Sequence, residues 1–473
     1  MATWTFHGGC RTIGGTVIEL IEDGWRLVFD LGRAVSRETP VFDGALRPAG
    51  IGDLQRMGAV PRIAGLFCDA ADAPEFAGRT LVAISHAHLD HMAHLPLLRP
   101  EIPVLVTNGT MKMLTLLDVL NEGVGQIRYQ AVAPGDAYSF GPFRIRLLPV
   151  DHDIPGAAGM LIQTPSVRFV YSGDLRLHGR HADRTFAFAE EARKFAPDVL
   201  WIEGTRALAK DNSDIFYESE LPDRYAEVIG EADAGVYCTH YPRHPERLDA
   251  IRQACLRTGR TLAACAGSAY VYAQFGGDLT GCAIYSGGQS AWSGTLRQFV
   301  AECGLPLVAP ENLRGVEQRF VVELPYARLR DWIDIEPAPG VVYLHADGHP
   351  LGPYDPAWAN LQYWLAAFGA RFVRVGSSGH GSRGDIHQLI EHISPRVVLP
   401  IHSFAPEQIA PAGVARFLPQ EAVGYTLDEI LDEVGAVPEV QEGPDVADVP
   451  EVQEGQGGQD GALGKRDRSA GGC

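Results

Sequence analysis

Six consecutive residues, His86-Ala-His88-Leu-Asp90-His91, offer three imidazoles and a carboxylate. Groups of this kind bind divalent transition metals and move protons near neutral pH. Histidines two apart on extended chain point the same way and can converge on one ion. Asp90 and His91 sit where the chain can turn toward a second. The pattern points to two metals, with zinc best suited to the donor set and manganese or iron suited where oxygen donors share the site.

Such chemistry needs elements that hold it. Leu81-Val-Ala-Ile84 precedes the cluster as a short apolar run bounded by Gly78-Arg-Thr80, which reads as a buried strand carrying the histidines at its carboxyl end. The arrangement recurs. Phe143–Val150 runs into Asp151-His152-Asp153, Val167–Tyr171 runs through Ser172-Gly173 into Asp174, and Pro395–Ile401 runs into His402-Ser403. A lone histidine at a strand end is ordinarily a structural residue, but four strand ends with one side-chain chemistry are expected to meet. Around them, Thr3–Phe6, Gly14–Leu20 and Trp25–Asp30 alternate with glycines as hairpin strands do. Val104–Val106 and Gly159–Thr164 read as further strands, and Gly109–Asn121 as a helix. Strands and helices mix without a repeating β-α-β unit, so the expected class is α/β, two sheets flanked by helices.

With 473 residues, 46% of them hydrophobic, the chain has room for two or three domains, and it contains no apolar run long enough to cross a bilayer. The start, MATWTFHGGC, lacks the basic and apolar segments of an export signal. The eight cysteines are scattered without a Cys-x-x-Cys pair, so a cytoplasmic protein with reduced thiols is expected, not a disulfide framework or zinc ribbon. The net charge of −19 argues against a polyanionic partner, yet from Asp428 onward twelve acidic residues face only Lys465, Arg466 and Arg468. In that stretch Val437–Gly443 is repeated as Val449–Gly455, and Gly, Gln and Glu dominate, so 436–473 is expected to be disordered. A local basic groove, or the cations themselves, would still accommodate a polyanion.

Seven motifs carry a family likeness: "LVFDLG" around Asp30, "HAHLDH" from His86 to His91, "DHDIPGAAGMLIQT" around His152, "YSGDL" around Asp174, "WIEGTR" around Glu203, "SSGHGSRGDI" around His380 and "VLPIHS" around His402. Through them the chain resembles the metallo-β-lactamase superfamily, and within it the β-CASP nucleases, the group that includes ribonuclease J. The motifs stand in the family's order from residue 25 to about 405 and are faint between 206 and 373. The resemblance implies a metallo-β-lactamase αββα sandwich formed by 1–205 and 375–435. An inserted α/β β-CASP domain over 206–374 interrupts it, and an acidic tail over 436–473 follows. It further implies two Zn²⁺ per chain, with Mn²⁺ as a substitute: His86, His88 and His152 hold one, Asp90, His91 and His402 the other, and Asp174 bridges them. Asp30 would orient ligand histidines from behind.

The activity so implied is hydrolysis of RNA phosphodiester bonds. Paired metals lower the pKa of a shared water and clamp the attacking and leaving oxygens. Asp90, Asp174, Glu203 and His380 are the implied catalytic residues, with His380, paired to Glu203, protonating the leaving oxygen. Ser377-Ser-Gly-His-Gly-Ser382 offers glycines and hydroxyls suited to a phosphate, through Ser378, Gly379, His380 and Ser382. DNA-processing relatives carry an aliphatic residue where His402 stands, which favours RNA, single-stranded, as the partner. A homodimer stays open, as do endo and exo modes. Two other readings remain beside this one. A hydrolase of a small ester, lactone or phosphodiester would suit the acidic body and need neither Glu203 nor His380. A non-catalytic binding protein would explain the faint middle section, but the complete ligand set speaks against it.

Within 206–374, Ala250–Arg260 reads as helix, Val341–Leu344 as strand and Pro356–Phe368 as amphipathic helix. Arg243 and Arg247 beside Tyr241 read as solvated surface, with contact to a nucleic-acid strand as the alternative. His94 reads as a packed histidine and not an extra ligand. Because the repeat-containing tail has little to bury, truncation after Ala436 is expected to leave thermal stability and activity near those of the full chain; a large fall in melting temperature would show that the tail docks.

Overall fold

The computed structural model describes residues 1–435 apart from 36–41, 43–45, 69–70 and 354. The expected disordered tail, 436–473, lies outside the described residues. The architecture is α/β. A first sheet runs in the order Gly424–Thr426, Thr3–Gly8, Val17–Glu22, Trp25–Phe29, Thr80–Ala83, Pro103–Thr107, Arg128–Val132. Its hairpin half is antiparallel, and from Trp25–Phe29 onward its neighbours are parallel. A second sheet runs Val397–Ile401, Val199–Glu203, Arg168–Tyr171, Ala158–Gln163, Phe143–Pro149, Ala137–Phe140.

Alternation along the strands decides what each sheet faces. Ile18, Leu20, Leu81 and Ala83 of the first sheet share one apolar layer with Phe143, Ile145, Leu147, Phe169 and Trp201 of the second, while Val17, Val82 and Leu148 turn outward. Aromatic rings fill the middle of that layer. Trp201 lies within 6.3 Å, centroid to centroid, of Trp4, Phe6, Phe29, Phe169 and Tyr171. Helices cover the outer faces. Asn108–Val119 presents Met113, Leu114 and Leu117 to the first sheet's parallel half. Ala182–Phe195 and Arg383–Ile393 pack together outside the second sheet through Phe188, Ala189, Ile386 and Leu389.

The chain leaves the second sheet at Val199–Glu203 and returns at Val397–Ile401, and these two strands pair directly in parallel. Between them it builds a third sheet, entirely parallel, in the order Leu307–Val308, Cys282–Tyr285, Thr261–Cys265, Phe320–Glu323, Val236–His240, Val342–Ala346, Arg371–Arg374. Helices Pro245–Thr258 and Trp358–Ala367 occupy the stretches where the sequence suggests them. The carboxyl ends of two central strands turn toward the sandwich. Tyr241, just past His240, packs its ring 5.0 Å from that of His88, and Asp347, just past Ala346, accepts the Ser377 N–H.

The surface reading of Arg243 and Arg247 is corrected here. They are 4% and 1% exposed, because carbonyls and carboxylates distant in sequence enclose both guanidinium groups. A nucleic-acid strand cannot reach them. His94 is packed, as expected, at 6% exposure. Cys10, Cys238, Cys255, Cys265, Cys282 and Cys303 carry free thiols. Among the described residues no helix is long and apolar enough to cross a membrane. Because Trp201 is fully buried where the two sheets meet, Trp201→Ala should lower the unfolding free energy by about 3–5 kcal/mol, measured by urea denaturation; a loss well below 1 kcal/mol would show that this layer is not the sandwich's main core.

Candidate metal centre

The four strand ends meet. His86 and His88 follow Thr80–Ala83, and Asp90 and His91 lie on the single helical turn Leu89–Met92 that comes next. The loop after Trp25–Phe29 presses against that turn: Leu31 N–H donates to the His91 carbonyl and Arg33 N–H to that of Leu89. Only glycine fits between, since a Cβ on Gly32 would stand 1.6 Å from the Asp90 carbonyl oxygen. Three strand ends turn through left-handed backbone, with φ of 55° at Asp30, 55° at Gly173 and 52° at His402. For the two non-glycine residues this conformation costs on the order of 1–3 kcal/mol each, which the surrounding contacts must offset. It aims Asp30, Asp174 and His402 into one buried volume.

Asp174 Oδ2 is the hub. It lies 3.0 Å from His91 Nε2, 3.6 Å from His86 Nε2, 3.7 Å from His402 Nε2 and 3.9 Å from His152 Nε2. On one side His88 Nδ1 stands 3.0 Å from His152 Nε2. On the other, His402 Nε2 is 3.1 Å from Asp90 Oδ2 and 3.2 Å from His91 Nε2. His86, His88 and His152 form one donor group, and Asp90, His91, Asp174 and His402 another, with the atoms of each within 4.8 Å of one another.

Three observations test whether these donors suit metal ions. Tetrahedral donors bonded at about 2.0–2.2 Å are separated by about 3.3–3.6 Å, and the spacings around Asp174 bracket that range. His86 Nε2 and His88 Nε2 are fully enclosed without a hydrogen-bond partner, a costly state for a polar atom unless it ligates a cation. The charge balance also calls for one. Burial opposes protonation of His91, yet Asp174, Asp90 and Asp30 together hold its pKa well above the ordinary value. Burial prevails at His86 and keeps that ring neutral, the form that ligates. The donor set fits divalent metal.

The opposite ring nitrogens are held from behind, which fixes tautomer and aim. His91 Nδ1 is 2.7 Å from Asp30 Oδ2. Asp30 in turn accepts the Ser85 N–H and hydroxyl at 2.8 Å each and the Tyr171 hydroxyl at 2.5 Å. Ser85 Oγ lies 3.0 Å from His86 Nδ1, the Gly379 carbonyl 2.6 Å from His152 Nδ1, and Thr205 Oγ1 2.8 Å from His402 Nδ1. Asp153 instead stands beside the gathered nitrogens themselves, 3.3 Å from His152 Nε2 and 3.6 Å from His88 Nε2. Sequence reasoning did not single out Ser85, Asp153, Tyr171 or Thr205. Asp153 was signalled by flanking His152 and Thr205 by following Glu203, whereas nothing local marks Ser85 or Tyr171.

Glu203 and His380 come together beside the hub. His380 Nδ1 is 3.0 Å from Glu203 Oε1 and 3.8 Å from Asp174 Oδ2. Glu203 is also anchored by the N–H groups of Leu175 and Thr205. Burial would depress His380, but Glu203, with Asp174 and Asp153 beyond it, outweighs burial and carries its pKa up to about 9. The open rim of the site consists of His380, Asp90 and Asp153, each 19% exposed at the side chain, and His88 at 12%.

The glycine-rich loop uses several of its donors within the protein. His380 N–H donates to Ser378 Oγ, Gly381 N–H to the Leu175 carbonyl, and Ser382 N–H to the Asp385 carboxylate. Ser382 Oγ caps helix Arg383–Ile393 in a reciprocal box with Asp385. Gly379 turns its carbonyl onto His152, and its missing side chain leaves space for that ring, which a Cβ would meet at 2.7 Å. These donors are committed inside the protein, and the His380 imidazole is what the motif brings to the rim.

If the hub is shared, purified protein should contain close to two divalent metal ions per chain by elemental analysis. Asp174→Ala should then deplete both together, whereas His402→Ala should deplete one. Full occupancy in Asp174→Ala would rule out a bridging carboxylate.

Residues 65–210 match the family described as "Beta-lactamase superfamily domain". The chain is 28% identical over 190 residues to "Ribonuclease J" of Thermus thermophilus, an alignment covering 38% of this chain and 33% of that protein. It is 24% identical over 416 residues to "Ribonuclease J" of Pyrococcus abyssi, covering 84% of this chain and 88% of the relative. The matched stretch thus spans a third of the first relative and most of the second. The crystal structure of a protein of unknown function from Enterococcus faecalis superposes with a TM-score of 0.74 at 26% identity, covering 90% of this chain and 99% of the other. With the two-sheet sandwich, the ligand-bearing strand ends and these relatives in agreement, the chain has the metallo-β-lactamase fold and is similar to proteins named ribonuclease J.

Proposed function

We propose that the protein is a metal-dependent ribonuclease that hydrolyses phosphodiester bonds of single-stranded RNA in the cytoplasm, using two Zn²⁺, with Mn²⁺ able to substitute. The observation that carries this reading is the Glu203–His380 pair, 3.0 Å apart and beside Asp174. An alkoxide leaving from a phosphodiester is a strong base, and an imidazolium kept protonated by a buried carboxylate is the group to meet it. Relatives named ribonuclease J support the choice of RNA.

When bound, the metals supply a water of lowered pKa and positive charge against the phosphate. The remaining work falls to the chain's own residues. Asp174 and Asp90 carry the negative charge around which the ring nitrogens gather, and they orient the attacking water. The water gives up one proton to solvent, and as its oxygen bonds to phosphorus the bond to the leaving oxygen breaks and His380 gives that oxygen its proton. One fragment departs with a hydroxyl and the other with a phosphate monoester. Glu203 stabilises the imidazolium before transfer and draws a proton from solvent back to the ring afterward. Residues 206–374 act as a lid. Tyr241 against His88 and Arg243 donating to the Ala87 carbonyl at 2.8 Å support this.

His380→Ala should lower RNA turnover by about 10²–10⁴ with both metals retained, and Glu203→Gln should do so more mildly. Turnover of a nitrophenyl phosphodiester, whose leaving group needs no proton, should change little. The measurement is cleavage of end-labelled RNA beside release of nitrophenolate. RNA cleavage unaffected by both substitutions would sink the mechanism and favour a hydrolase of small esters or phosphodiesters.

A further inference from the structure

A buried ionic cluster lies between the sandwich and the third sheet, and the reaction above does not call on it. Arg176, Glu218 and Arg247 are all but fully enclosed. Arg247 donates through Nη2 to Glu218 Oε1 at 2.6 Å and the Ser377 carbonyl at 3.0 Å. Through Nη1 it donates to Asp347 Oδ2 at 2.9 Å and the Ala346 carbonyl at 3.0 Å. Arg176 donates through Nη1 to the same Glu218 oxygen and to the Ser378 carbonyl, both at 3.0 Å, and through Nε to Asp151 Oδ1 at 3.2 Å. Asp347 Oδ2 closes the ring by accepting the Ser377 N–H at 2.7 Å.

The attachment points are informative. Arg176 is two residues past Asp174, and Asp151 precedes His152. Ser377 and Ser378 lead into Gly379, whose carbonyl orients His152, and into His380. Arg247 and Asp347 belong to the stretch that builds the third sheet. Two guanidinium groups and three carboxylates are costly to desolvate, and an apolar cluster of equal volume would join the two bodies as firmly. What ions add is direction: each donor fixes one acceptor, and two of those acceptors are carbonyls of the 377–380 loop.

The geometry points to Arg247, together with Arg176, Glu218 and Asp347, as positioning residues that set the 377–380 loop so that His380 meets Glu203 while the third sheet is seated on the sandwich. The inference rests on the hydrolytic role given to His380, and it makes the seating of 206–374 a requirement for protonating the leaving group as well as for covering the site.

The test uses the full-length, metal-loaded protein. Arg247→Met leaves buried carboxylates unpaired and risks misfolding. Asp347→Asn is therefore the main variant: Asp347 is part-exposed, and asparagine accepts its φ of 62° while losing the charge that holds Arg247 and the Ser377 N–H. The expected result for Asp347→Asn is a fall in kcat on single-stranded RNA of about 10- to 100-fold, with KM, metal content and melting temperature near wild type. Nitrophenyl phosphodiester turnover should be retained, because that leaving group does not need His380. A parallel loss on both substrates, or loss of metal, would make the cluster merely structural and overturn the inference, as would undiminished RNA turnover. A wild-type enzyme that releases nitrophenolate but leaves RNA intact would instead sink the ribonuclease reading, and that outcome is visible without any variant.

Discussion

A single carboxylate oxygen, Asp174 Oδ2, stands within 3.9 Å of ring nitrogens of five histidines from four other segments of the chain. An anion so placed, 1% exposed and close to Asp90, Asp30 and Glu203, is tolerable only among strong positive charge. That requirement shapes the centre. It brings imidazoles in from several strand ends, it turns their far nitrogens to Asp30, Gly379 and Thr205, and it holds a proton on His380, the one ring with a carboxylate of its own and a face on the rim.

The sandwich meets that requirement by being stiff where the chain cannot be. Two sheets packed through Trp4, Phe29, Phe169 and Trp201 leave the strand ends little freedom. Left-handed turns at Asp30, Gly173 and His402 can then persist at the edge of that layer. Tyr171 joins the two roles in one side chain: its ring packs on Phe29 and Trp201, and its hydroxyl donates to Asp30.

How much of this could be read from sequence follows from how local each cause is. Apolar runs ending in ligand-type residues announced the strand ends at His86, His152, Asp174 and His402, because strand and ligand are adjacent in the chain. Glu203 and His380 were legible only through motif likeness, since 177 residues separate the pair. Arg243 and Arg247 were misread because a guanidinium is surface until partners cover it. Those partners, Ala87, Glu122, Glu218 and Asp347, come from elsewhere in the chain. The internal partners of the glycine-rich loop are hidden from sequence for the same reason: Leu175, which takes one of its N–H groups, is more than 200 residues away.

The parallel pairing of Val199–Glu203 with Val397–Ile401 sets an order of events as the chain is made. The edge strand that carries His402 emerges only after the whole third sheet has been synthesised, and closing so long a loop is slow compared with local hairpin formation. Until then the second sheet has Val199–Glu203 as a bare, apolar edge, a template for wrong partners. The nascent sandwich therefore holds most of its donors before it can assemble the complete set, which closes only when the last strand of the second sheet docks.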